Sequence, residues 1–74
     1  MKPFLVVTVD HVRKLAAVRG PEAKRITTLV SPVPPRWSPS ARSWVIPAAY
    51  AVDVQTYTQS QLHEWALVHD RKQW

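Results

Sequence analysis

The sequence predicts a small α+β domain of element order β-α-β-β-α-β, a mainly antiparallel sheet with two helices on one face. Three observations carry that prediction. Residues 4–9, Phe-Leu-Val-Val-Thr-Val, are rich in β-branched side chains that suit a pleated, half-buried surface better than a helix. Gly20-Pro21-Glu22 opens a helix, with proline at the first helical position and an acid in the first turn. Residues 36–47 set two aromatic-bearing runs on either side of a Ser/Pro turn, the pattern of a β-hairpin. At 74 residues the chain is expected to form one domain, 1–74, around one core.

The elements follow in order. Phe4 to Val9 is the first strand. Residues 11–19 admit two readings. Val12, Leu15, Ala16 and Arg19 fit a helical stripe with Asp10 as N-cap, while Leu15 to Val18 continue the β structure. The strand is preferred, in a hairpin about Asp10-His11. The first helix then places Ala23, Ile26, Leu29 and Val30 on one face. It ends at Ser31, because Pro32 cannot continue it and disfavours helical geometry in the residue before. Ser31-Pro32-Val33-Pro34-Pro35 reads as a rigid connector.

In the hairpin, a loop centred between Ser40 and Ala41 sets Trp37 directly opposite Trp44, an aromatic pair that would pin the register. A shifted turn would lose it. Val52 to Thr58 alternate like a strand, yet Asp53 followed by Val54, Tyr57 and Gln61 fits an N-capped helix, and a helix from Asp53 to about Gln61 is preferred. Glu64 to His69 is a closing strand, with extension of the helix through Leu62–Val68 as the alternative. Trp44 and Trp65 are assigned to the core, Trp37 is open, and Trp74 lies at an exposed terminus.

Composition narrows the function. With 46% hydrophobic and 20% charged residues the chain can fold, which argues against intrinsic disorder. Ten Lys and Arg against five acids give a net charge of +5, a bias toward phosphate-bearing or acidic partners. That bias is concentrated. Arg13, Lys14, Arg19, Lys24, Arg25, Arg36 and Arg42 face only Glu22 within residues 11–44, so this stretch carries +6 and the remainder −1.

The absence of cysteine excludes a disulfide framework and a Cys-type zinc site. His11, His63 and His69 are a poor metal signal, and no metal or other cofactor is expected. The single Gly20 cannot build a phosphate-cradling loop, no nucleophile elbow occurs, and an enzyme is not expected. No apolar run approaches a membrane span, and Met1-Lys2-Pro3 opens no secretory signal, so a cytoplasmic protein is expected.

From Arg36-Trp37-Ser38-Pro39 through Trp44-Val45-Ile46-Pro47 the chain resembles the core signature of the HARP domain of annealing helicases. That signature is a basic residue and an aromatic, a turn, then a tryptophan followed by apolar residues and a proline, between two helices. With Gly20-Pro21-Glu22 and the Asp53-Val54 helix start, the pattern also looks like small proteins of actinobacteria and their phages. The resemblance spans about residues 15–70. It implies a DNA-binding accessory module without the helicase motor, since no P-loop is present.

The expected interface is Arg36, Trp37 and Arg42 on the hairpin with Lys24 and Arg25 on the first helix, touching single-stranded or forked DNA by phosphate neutralisation and base stacking. A competing expectation is a phage-type accessory protein, in the host cytoplasm, that docks on a host protein through an exposed apolar or aromatic patch. Edge strands in so small a sheet also make a homodimer an expected arrangement.

Overall fold

The computed structural model describes residues 2–71. The first strand, β1, is Leu5–Asp10 and pairs antiparallel with β2, Leu15–Arg19. Residues 15–19 are thus strand, and the stripe available to a helix there is unused. The turn is not centred on Asp10-His11, because Asp10 belongs to the ladder opposite Leu15. Its carboxylate Oδ1 accepts from the backbone N–H of Val12 at 3.0 Å and of Arg13 at 3.1 Å, folding residues 11–14 into the loop. Lys14 closes that loop in the left-handed conformation, φ 59°.

The first helix, α1, is Ala23–Val30. It starts after Pro21 and Glu22 because Glu22 itself is left-handed, φ 59°, and belongs to the turn. Ala23, Ile26 and Thr27 are buried and Val30 is half-buried, whereas Leu29 is 58% exposed. Leu29 therefore leaves the expected core stripe. From Ala23, one helix face passes through positions 26, 27 and 30, and position 29 falls outside it. The polar Thr27 is tolerated there because its hydroxyl donates to the carbonyls of Ala23 and Lys24, at 2.7 and 3.0 Å.

Strands β3, Arg36–Ser38, and β4, Ser43–Pro47, form the expected hairpin, with Trp37 opposite Trp44 and Ser38 opposite Ser43. Residues 39–42 make its loop. Pro47 then leads into a 3-10 turn, Ala48–Tyr50, and directly into α2, Ala51–Gln61. Asp53 lies in the first turn of α2 rather than at its cap, because the 3-10 turn starts the helix earlier. Ala51, Val54 and Thr58 are its buried residues, and Gln61 is exposed. Strand β5, Ala66–Asp70, runs parallel to β1 and begins later than Glu64, because left-handed His63, φ 54°, and the residues around it turn the chain after α2.

The order along the chain is therefore β-β-α-β-β-α-β, the expected order with the preferred hairpin strand at residues 15–19 counted as a strand of its own, in a five-stranded sheet of spatial order β3-β4-β2-β1-β5. Only the β1–β5 pair is parallel. The crossovers β2-α1-β3 and β4-α2-β5 leave strands of opposite sense and move toward opposite edges, so the right-handed rule puts both helices on the same face. There they pack on each other and on the sheet. Leu5, Val7, Ala16, Val18, Ile46 and Ala66 point to them from the sheet and meet Ala23, Ile26, Ala51 and Val54. Among the described residues, the opposite face carries no helix.

Candidate nucleic-acid interface

The hairpin joins part of the expected site and divides the rest. Trp37 and Trp44 are cross-strand partners with ring centroids 5.2 Å apart and planes tilted by 59°, a favourable aromatic geometry. Lys24 Nζ lies 5.2 Å from the Trp44 ring centroid, a cation–π contact from α1 to β4. Trp44 is in register with Val18, which is in register with Val7, so these rings stand on the helix-bearing side of the sheet. Trp44 packs against the core, and Trp37, 51% exposed, lies outside it on the edge strand.

Arg36 precedes Trp37 on the same strand and alternation turns it to the other face. There it heads a register row that crosses the whole sheet: Arg36, Val45, Ala17, Thr8 and His69. Arg42 sits exposed in the β3–β4 loop with φ 50°. Arg25 is engaged locally, with Nε donating to Glu22 Oε1 at 2.8 Å. The Glu22 hydrogen bond, followed by one to Tyr57, raises its pKa above the usual arginine value. The structure thus brings Lys24, Trp37 and Trp44 together, places Arg36 on the opposite face, and sets Arg25 against Glu22.

Trp65 is 41% exposed and leaves the expected core. Its backbone ties it to the fold, since its carbonyl accepts from the N–H of Phe4 at 2.7 Å and of Leu5 at 3.4 Å. Ala66, the next residue, takes the inward position and is fully buried. Trp74 lies outside the described residues.

The helix-free face holds cations that the expected interface left out. An open trough of about 770 Å³ crosses it, with Thr8, Ala17 and Ser43 among its lining and with the cations Arg13, Arg19 and Arg71. Asp70 is the acid in that lining, and its carboxylate lies 2.8 Å from His11 Nε2. His69 Nε2 lies 3.0 Å from Thr8 Oγ1, matching their register across β1 and β5. Burial lowers the Arg71 pKa from the usual arginine value; the nearby Asp10 opposes that shift and Arg13 adds to it. Such a guanidinium remains cationic at neutral pH. Among the described residues, no group of three or more His, Cys, Asp or Glu could hold a metal ion, and no helix is long and apolar enough to cross a membrane.

No protein-family model matches this chain, and no curated protein or solved structure matches it.

Proposed function

We propose that the chain is a non-catalytic nucleic-acid-binding module of the cytoplasm that neutralises phosphates and stacks bases. One observation carries the reading: seven cations face a single acid within residues 11–44, and that stretch builds β2, α1, β3, the β3–β4 loop and the start of β4. Cations so concentrated in a small domain attract a polyanion through a salt-dependent counterion-release effect. The resemblance of the Arg36–Pro47 hairpin to the HARP domain points to DNA as that polyanion. Single-stranded or forked DNA fits best, because exposed tryptophan offers stacking that paired bases cannot reach.

The test is a tryptophan-fluorescence titration with single-stranded, duplex and forked DNA at two salt concentrations, repeated on the variant with Arg36→Ala and Arg42→Ala. Quenching with a salt slope worth several phosphates, weakened by the double substitution, supports the reading. Affinity that vanishes at physiological salt without quenching overturns it. A second reading, docking on a host protein, is favoured by Leu29 and Val33, large apolar side chains exposed at 58% and 48% near the end of α1. It predicts one saturable protein partner that the double substitution leaves bound.

A further inference from the structure

The helix-free face arranges cations and an aromatic differently from the hairpin. Alternation along β5 puts Leu67 and His69 on that face, Arg71 lines the trough just beyond the strand, and extending the alternation one residue before the buried Ala66 assigns the half-exposed Trp65 to the same side. Leu67 is in register with Val6, and Val6 with Arg19, so the β5 row leads directly to an exposed arginine two strands away. Arg13 and Arg71 supply further charge at the opposite end of the trough. Its floor is of mostly small side chains, among them Thr8, Ala17 and Ser43, and its acid Asp70 lies 2.8 Å from His11 Nε2. The face is therefore open and net positive, and the extended alternation sets Trp65 at its border.

A bound single strand needs its stacking platform and its phosphate contacts on one surface. Trp37 meets that need less fully, since Trp44 stands 5.2 Å from it, Lys24 on its side is held over the Trp44 ring, and its neighbour Arg36 is turned to the other face. Trp65 meets it more fully. We propose that the helix-free face is the track for the sugar–phosphate backbone of a single-stranded nucleic acid, with Arg13, Arg19 and Arg71 on the phosphates and Trp65 as the stacking residue. The proposal rests on the nucleic-acid reading given above and moves its stacking residue from Trp37 to Trp65. From Trp65 to Arg71 the strand covers roughly 20 Å, about six stacked nucleotides at ~3.4 Å each, within the footprint range of single-strand binders.

The experiment uses dT12 as probe, read both by quenching of intrinsic tryptophan and by anisotropy of a labelled copy. The variants are Trp65→Phe, Trp37→Phe, Arg19→Glu, Ser40→Glu and Lys24→Glu, each checked for a native circular dichroism melt. Ser40 is exposed on the trough wall, so its substitution reports on the track with little risk to folding. Trp65→Phe is expected to lose most of the quenching while Trp37→Phe keeps it. Arg19→Glu and Ser40→Glu are expected to weaken binding more than Lys24→Glu, and Arg19→Glu to lower the salt slope by roughly 0.7–1.4, one to two phosphates. Unchanged quenching in Trp65→Phe, with Lys24→Glu the most damaging charge change, overturns the track and leaves the nucleic-acid reading standing. Equal affinity for a duplex dodecamer without Trp65 quenching overturns the single-strand assignment. No binding of dT12 by the unaltered protein overturns the nucleic-acid reading and the track with it, and tighter binding of polyglutamate than of dT12 assigns the face to an acidic protein.

Discussion

Gly20 is the position at which one added carbon is expected to do the most damage. It has φ +137°, a conformation L residues rarely adopt, and it joins the end of β2 to the turn before α1. A Cβ built there would lie 2.4 Å from the Phe4 carbonyl oxygen, 2.8 Å from Leu5 Cδ2 and 3.2 Å from Leu5 Cα. Two of those atoms are backbone, and the Leu5 side chain is fully buried, so neither can swing away cheaply. Gly20→Ala thus combines backbone strain of about 1–3 kcal/mol with overpacking of about 1–3 kcal/mol. A domain of this length has on the order of 4–11 kcal/mol of stability in total. Even the low end of the sum, roughly 2 kcal/mol, lowers the melting temperature by about 8–16 °C. Thermal unfolding followed by circular dichroism, with urea titration for the free energy, measures it. A Gly20→Ala protein that melts within about 2 °C of the parent would refute the close approach of this turn to β1.

Four further outcomes are expected. Ile26→Ala costs about 2–5 kcal/mol because Ile26 is fully buried, while Leu29→Ala stays within about 0.5 kcal/mol; equal costs in urea unfolding would place the core face of α1 wrongly. Asp10→Ala leaves the Val12 and Arg13 amides without their carboxylate acceptor and costs about 1.5–3 kcal/mol, and Asp10→Asn, which keeps an acceptor oxygen, recovers much of that by the same measurement. His63→Gly raises the urea midpoint, since relief of about 1–2 kcal/mol at its positive φ exceeds the glycine entropy cost of about 0.5–1 kcal/mol. Arg42→Ala keeps the Cβ at φ 50° and Arg42→Gly removes it, so the glycine variant is the more stable of the two while both lose the same charge; if the loop acts through charge, both bind DNA equally weakly, and affinity that tracks stability instead refutes that role.

Elements whose signals are local were legible in the sequence. The β-branched run of β1, the proline stop after α1 and the Trp37–Trp44 register all follow from neighbouring residues, and the structure carries each of them. The shifted boundaries have local causes that composition hides. Asp10 serves as a turn acceptor rather than a helix cap, and Glu22 adopts a left-handed conformation where a first helical turn was expected. Thr27 replaces Leu29 in the buried stripe because its hydroxyl satisfies itself on backbone carbonyls, a choice that a count of apolar residues cannot reveal.

The candidate site was less legible, and the reason is parity. Arg36 and Trp37 are adjacent in the sequence and read as one basic-aromatic unit, but neighbours on a strand face opposite ways, so the pair is divided between the two sides of the sheet. Residues far apart are joined by the same rule. Arg36 and His69 share a row only because three intervening strands, β4, β2 and β1, keep a common register, and Arg19 meets Leu67 only through Val6. Once both helices are known to cover one side, the period-2 spacing of Trp65, Leu67, His69 and Arg71 acquires a meaning that it lacked as a string. It is the outward edge of a surface where cations gather and no helix intervenes, which is why stacking by Trp65 and stacking by Trp37 are competing statements about which face of one sheet meets the nucleic acid.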